Sequence, residues 1–291
     1  MPPARLEILR PDSLAEALEL KAADPEAVPL AGGTDLMVAI NFGHTRPGAV
    51  LDLTRVAELR DWAPDNGRVR VGAGVTYTRL IDELGDRLPG LAIASRTVGS
   101  LQIRNRGTVG GNLATASPAG DGLPPLYTTD AVIEVASTRG NRRVPVAEFV
   151  TGPKRTALAP DELITAFDVA AASGPQQFAK VGTRNAMVIA VCSFGLALWP
   201  EQRRVAACIG SAGPTPLVAT EAEAFVADAL AEHDHWASGA PLPDAVVQRF
   251  GALVGAAARP IDDVRGTADY RRHAVAVLAR RTLRWAWGAR A

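Results

Sequence analysis

The spacing of apolar residues changes period several times along this chain. Between Arg5 and Arg10 they alternate with charged residues, and a period of two predicts a short edge strand. Ser13 and Glu16 then form an S-x-x-E capping box, and Leu14, Ala17 and Leu18 follow at helical spacing. This predicts a helix from about 13 to 23, stopped by Asp24-Pro25. Val28-Pro29-Leu30-Ala31 reads as a strand, Gly32-Gly33-Thr34-Asp35 as a turn, and Leu36 to Ile40 as a short helix. Strands are expected at Ala49–Leu53 and Arg68–Val71, the second behind an Asn66-Gly67 turn. Thr76–Leu84 has the pattern of an amphipathic helix. Ala92–Thr97 leads into a second glycine-rich region, Gly107 to Asn112, and Ala131–Ala136 alternates like a strand.

The composition shifts between Ala170 and Gln177, where Ala-Ala-Ser-Gly-Pro-Gln-Gln marks a domain boundary. The expected units are 1–172, in two lobes of about 1–55 and 56–172, and 176–291. In the second unit, Met187–Trp199 and Arg204–Gly210 read as strands. Helices are expected at Thr220–Ala231, opened by a second capping box (Thr220, Glu223), at Asp244–Ala257 and at Thr267–Trp287. No repeat of solenoid period is visible. The mixture of strands and helices predicts an α+β chain.

Composition narrows the function classes. A length of 291 residues suits roughly two domains, and 47% hydrophobic with 21% charged residues suits a packed core. Lys plus Arg number 31 and Asp plus Glu number 31, so no bulk positive field exists to hold nucleic acid. Two cysteines, Cys192 and Cys208, are too few for a four-cysteine zinc site or an iron–sulfur cluster. Both lie in apolar strand patterns and read as buried thiols. No metal is expected on this chain. No apolar run reaches about 18 residues, and the start MPPARLEILRPD lacks a signal-like apolar segment. A cytoplasmic protein without a membrane span is the expectation.

The strongest chemical signal is a pair of diglycine segments, Leu30-Ala31-Gly32-Gly33-Thr34-Asp35-Leu36 and Thr108-Val109-Gly110-Gly111-Asn112-Leu113. Paired glycines let successive backbone N–H groups converge on an anion such as a diphosphate. Thr34, Thr108 and Asn112 add neutral hydrogen-bonding groups. The plain alternative is two turns that hold no ligand. Neither segment fits G-x-G-x-x-G or G-x-x-x-x-G-K-[ST]. The second continues through Thr115-Ala116-Ser117-Pro118-Ala119-Gly120 to Asp121, small residues that would let a flat ligand approach, with Asp121 as an acceptor or as an ordinary turn residue. His233-Asp234-His235 reads as a solvated turn rather than a metal pair, and His44 as a loop residue. No Ser–His–Asp or Cys–His set can be assembled. Arg271, Arg272, Arg280, Arg281 and Arg284 read as the basic solvent face of the last helix, with an intersubunit contact as the next reading.

The segments Ala31–Leu36 and Thr108–Asp121 resemble the two flavin-binding signatures of the medium subunit of molybdenum hydroxylases, the family of xanthine dehydrogenase and carbon monoxide dehydrogenase flavoproteins. Val69 to Thr76, Lys180 to Ala186 and Asp263 to Arg271 resemble further family segments, in the family's order. The resemblance implies a two-lobed FAD-binding domain of PCMH type followed by a small α+β domain like the carbon monoxide dehydrogenase flavoprotein C-terminal domain. It implies FAD held by Pro29, Leu30, Ala31, Gly32, Gly33, Thr34, Asp35 and Leu36, and by Thr108, Gly110, Gly111, Asn112, Thr115 and Asp121. Ile164 falls where the family places an apolar residue near the flavin. Lys180 falls where a lysine approaches the isoalloxazine, a position from which a cation would stabilise negative charge on the reduced ring. The implied role is an electron-transfer subunit with a large molybdopterin-binding partner and a small [2Fe-2S] partner, in a dimer of heterotrimers, passing electrons to an external acceptor. The alternatives are a self-contained FAD-dependent dehydrogenase or oxidase acting on an organic substrate, and a nucleotide-binding module without catalysis.

Overall fold

The structure is a computed structural model that describes residues 6–232 and 234–290. Arg5, where the first strand was expected to begin, and His233 lie outside the described residues. The N-terminal part opens with a three-stranded parallel sheet in the order Glu7–Leu9, Ala49–Asp52, Val28–Leu30. The helix Leu14–Ala23 covers it, burying Ala17 with Leu51 and Leu53. Ser13 caps this helix by accepting from the Glu16 N–H, while the Glu16 carboxylate accepts from the Asp12 N–H, one residue beyond the usual capping-box partner.

A five-stranded antiparallel sheet follows, ordered Trp62–Asp65, Arg68–Gly72, Leu163–Ala170, Val132–Ser137, Gly140–Pro145. Asn66 (φ 45°) and Gly67 (φ 79°) both take left-handed conformations, so the expected Asn-Gly turn closes the first hairpin. Helices Tyr77–Leu84, Pro89–Arg96, Val109–Thr115 and Leu123–Thr128 pack on one face around Leu80, Leu113, Leu126 and Phe167. The other face carries charges in register: Asp168 pairs with Arg68 and Arg143, and Glu134 with Arg70.

The C-terminal part is a four-stranded antiparallel sheet, Gln176–Val181, Cys192–Trp199, Arg204–Gly210 and Leu217–Val218, covered by helices Thr220–Glu232, Asp244–Ala257 and Ala268–Gly288. The fold is thus α+β throughout. Three expectations are corrected. The strand expected from Met187 begins at Cys192, because Met187 sits at φ 50° in a connecting segment. Thr220 and Glu223 do not form a capping box: the Glu223 carboxylate accepts from the Ala207 N–H at 2.6 Å and so satisfies a sheet amide instead. Arg271 leaves the solvent face of the last helix; it is buried and bonds the Ser211 carbonyl and Asp263. Among the described residues no helix is long and apolar enough to cross a membrane.

Candidate functional site

The two diglycine segments meet in space. A Cβ placed on Gly32 would lie 2.1 Å from the Arg106 carbonyl oxygen and 2.9 Å from the Gly107 Cα. Only a residue without a side chain permits that approach. Gly33 serves differently, since its φ of +73° belongs to the left-handed region. Past it, Asp35 Oδ2 accepts a hydrogen bond from Thr115 Oγ1 at 2.9 Å, a second tie between the segments. Among the described residues, none of the N–H groups of Gly32, Gly33 and Thr34 finds an acceptor. That leaves a row of open donors at the junction.

The second segment is not a turn. Gly110 and Gly111 lie in the first turn of the helix Val109–Thr115, capped by Thr108 Oγ1, which accepts from the Gly111 N–H at 2.9 Å. A Cβ on Gly110 would sit 2.4 Å from the Ala73 carbonyl oxygen, so Gly110 is needed for packing. A Cβ on Gly111 would meet only Thr108 Oγ1, at 3.1 Å, so Gly111 faces open space. Glycine is a poor helix former, costing about 1 kcal/mol against alanine, and tertiary contact overrides that preference here.

From this helix the site continues by hydrogen bonds. Asn112 Oδ1 accepts from the Gly122 N–H at 3.2 Å, which holds the loop carrying Asp121. Asp121 is buried. Its Oδ2 receives Lys180 Nζ at 2.5 Å and Thr97 Oγ1 at 3.3 Å, while its Oδ1 is buried with no donor. Burial pushes the Asp121 carboxyl above the usual carboxylate range, against the opposing pull of Lys180. Ile164, in the central strand, is buried in the same core as Val109 and Leu113. Pro29 and Leu30 end their parallel strand beside the first segment, and Leu36 begins the helix Leu36–Asn41 after it.

Sequence reasoning overlooked Thr97, a residue with no distinguishing context that acquires its place only when the end of helix Pro89–Arg96 reaches Asp121. It also overlooked Tyr77, whose ring would lie 3.3 Å from a Cβ on Gly107. Burial and the nearby Asp121 and Asp35 charges push its phenol far up, so it stays protonated. The remaining candidates lie outside this group. His44 is exposed and stacks on Phe42, and His235 is buried against Trp287. Cys192 and Cys208 are buried, and burial pushes the Cys192 thiol up to about 12.

Open amides suit an anionic group, and a buried carboxylate oxygen without a donor suits an N–H or O–H of a ligand. Residues 4–170 match the family described as the FAD binding domain in molybdopterin dehydrogenase, and residues 177–286 match the CO dehydrogenase flavoprotein C-terminal domain. The chain belongs to this flavoprotein family. The xanthine dehydrogenase FAD-binding subunit of Escherichia coli O157:H7 is 30% identical over 290 residues, covering 94% of this chain and 93% of that protein. The glyceraldehyde dehydrogenase medium chain of Sulfolobus acidocaldarius is also 30% identical, covering 96% and 97%. Among solved structures, the carbon monoxide dehydrogenase of Hydrogenophaga pseudoflava lacking the Mo-pyranopterin moiety superposes with a TM-score of 0.88 at 28% identity, covering all of both chains. This flavoprotein subunit is therefore a component of an oxidoreductase, and its cofactor is FAD.

Proposed function

We propose that this chain is the FAD-binding electron-transfer subunit of a heterotrimeric molybdenum hydroxylase, carrying electrons from [2Fe-2S] clusters on a small partner to an external acceptor. A large molybdopterin-binding subunit would perform the substrate oxidation, in a dimer of such heterotrimers. The FAD-binding domain is residues 1–172, with lobes of about 1–55 and 56–172, and the C-terminal domain is 176–291. FAD, when bound, supplies reversible electron acceptance and donation.

The observation that carries this reading is the junction of the two diglycine segments, where the open amides of residues 32–34 lie beside the helix Val109–Thr115, and Asn112 of that helix holds the loop bearing the unpartnered Asp121 Oδ1. Pro29 to Leu36 would hold the diphosphate side, with the amides of Gly32, Gly33 and Thr34 as donors. Thr108, Gly110, Gly111, Asn112, Thr115 and Asp121 would hold the rest, with Ile164 and Lys180 closing the site. All these contacts bind and orient, and none requires a proton to be transferred. That distinguishes the reading from a self-contained dehydrogenase, which needs a base at the flavin. The relatives named as subunits and medium chains support a multi-subunit enzyme.

Two measurements test it. Purified chain should show flavin absorbance and release one FAD per chain, and a colourless protein that fails to take up FAD would sink the assignment. Co-expression with the adjoining reading frames should yield a stable complex that contains molybdopterin and iron–sulfur subunits. A chain that stays alone and oxidises an organic substrate by itself would instead establish the self-contained enzyme.

A further inference from the structure

Arg104 is half-buried, yet the stretch 87–120 around it contains no Asp or Glu, and among the described residues no carboxylate pairs with its guanidinium. Its side chain is spent on backbone instead. Nη1 donates to the carbonyls of Arg96 at 3.3 Å, Val98 at 3.1 Å and Gly99 at 3.1 Å. The Arg96 carbonyl is one of those left open where helix Pro89–Arg96 ends, and a cation is favoured there. Beyond it the chain turns a sharp corner. Gly99 takes φ +47°, and a Cβ on it would lie 2.7 Å from Ile103 Cγ2.

The corner carries Thr97. A threonine hydroxyl has one proton to donate, and this one lies between two acceptors, the Ala94 carbonyl at 2.7 Å and Asp121 Oδ2 at 3.3 Å. How much of it reaches Asp121 depends on where the corner is held. Asp121 is the carboxylate whose other oxygen, Oδ1, is buried without a donor. The backbone of Arg104 belongs to the opposite half of the site. Helix Leu101–Arg104 runs into Arg106 and Gly107, against which Gly32 packs. One side chain thus ties the corner beside Asp121 to the segment that meets the first diglycine turn.

We propose that Arg104 is a positioning residue for FAD, acting through the 96–99 corner to aim the Thr97 hydroxyl at Asp121. The proposal rests on the FAD reading above and deepens it. The test uses the full chain with FAD and the variants Arg104→Met, Thr97→Val, Thr97→Ser and the pair Arg104→Met with Thr97→Val. Arg104→Met should weaken FAD binding about fivefold, the size of one hydrogen bond of ordinary net strength. Thr97→Val should do the same, and Thr97→Ser, which keeps the hydroxyl, should bind as the unaltered chain does. The pair should be no weaker than either single variant, because one arrangement has been removed twice. The loss in Arg104→Met should be equal at low and high salt, since geometry rather than a charge acts on the cofactor. At saturating FAD, Arg104→Met and Thr97→Val should share one altered visible circular dichroism of the bound flavin, which a loss of fold stability alone would not produce. In the FAD-free chain, trypsin should cut faster after the exposed Arg96 once Arg104 is replaced.

Losses that add in the pair would overturn the proposal. So would a loss in Arg104→Met that shrinks as salt rises, which would mean that the guanidinium acts on the cofactor through its charge. Unchanged flavin dichroism, or unchanged cleavage after Arg96, would overturn it too. Should Arg104→Met fail to fold, Arg104→Lys carries the same comparisons, because it keeps the cation but ends one bond short of the corner carbonyls. An unaltered chain that binds no FAD would defeat the proposed function instead. The cleavage rates of the FAD-free proteins would then still decide whether Arg104 holds the corner.

Discussion

At the scale of single residues, the four motif glycines divide the labour. Gly32 and Gly110 exist for close approach, Gly33 for its backbone angle, and Gly111 for open space. This division predicts opposite outcomes for similar substitutions. Gly111→Val places its side chain into open space while meeting only Thr108 Oγ1. An overpacking cost of about 1–3 kcal/mol corresponds to a roughly 5- to 150-fold loss of FAD affinity. The melting temperature of the FAD-free chain should hold. Gly32→Ala drives a methyl into the Arg106 carbonyl. It should destabilise the FAD-free chain itself by about 1–3 kcal/mol, read as a lower denaturant midpoint. Were the FAD-free stability of Gly32→Ala unchanged, the two segments could not be in contact as described. Sequence alone showed that these glycines matter, but all four look alike in a string of letters. Their roles depend on Arg106 and Ala73, which stand tens of residues from the glycines they touch.

At the scale of elements, what was legible followed from periodicity with one buried face. Helices Leu14–Ala23, Tyr77–Leu84 and Asp244–Ala257 and strand Arg204–Gly210 match their expected spans closely. What went unread had its pattern hidden. Leu163–Ala170 is buried on nearly every residue, and a bulge between Ile164 and Ala166 breaks its alternation. Gly140–Pro145 is polar because Arg142 and Arg143 reach across to Glu162 and Asp168. The misread capping box has an energetic consequence. Glu223 is drawn inward to the Ala207 N–H, and burial raises its carboxyl pKa. A carboxyl whose pKa is higher folded than unfolded, where it lies near 4.3, contributes stability at low pH. That contribution fades as pH rises through the folded value. Glu223→Gln keeps an oxygen for Ala207 and removes the buried charge. Its melting temperature should rise relative to the unaltered chain at pH 7 and converge with it near pH 4. A gain that is equal at both pH values would show that ionisation of Glu223 is not the cause.

At the scale of the whole molecule, the two sequence-matched regions are not two beads. Helix Leu123–Thr128 belongs to the N-terminal region by chain order, yet all six of its residues are buried. A Cβ on Gly195 or Gly210, both in the C-terminal sheet, would press within 3.1 Å and 2.7 Å of Pro124. Hydrogen bonds cross the same seam from the Ser211 N–H to the Pro118 carbonyl, from Trp199 Nε1 to the Thr128 carbonyl, and from the Gly90 N–H to Gln176 Oε1. Pro118 lies between the second glycine segment and Asp121, so the C-terminal sheet braces the loop that presents Asp121. An N-terminal fragment, residues 1–172, would keep both glycine segments but bare the apolar face of helix Leu123–Thr128 and lose Lys180. It should therefore bind FAD far more weakly than the intact chain, although every proposed diphosphate contact is present in it. The intact chain should unfold by heat in a single transition followed by both flavin release and circular dichroism, because neither region can retain its core surface after the other has left. Two separate transitions, or a fragment that holds FAD as tightly as the whole, would show that the seam carries little energy and that the site belongs to the N-terminal region alone.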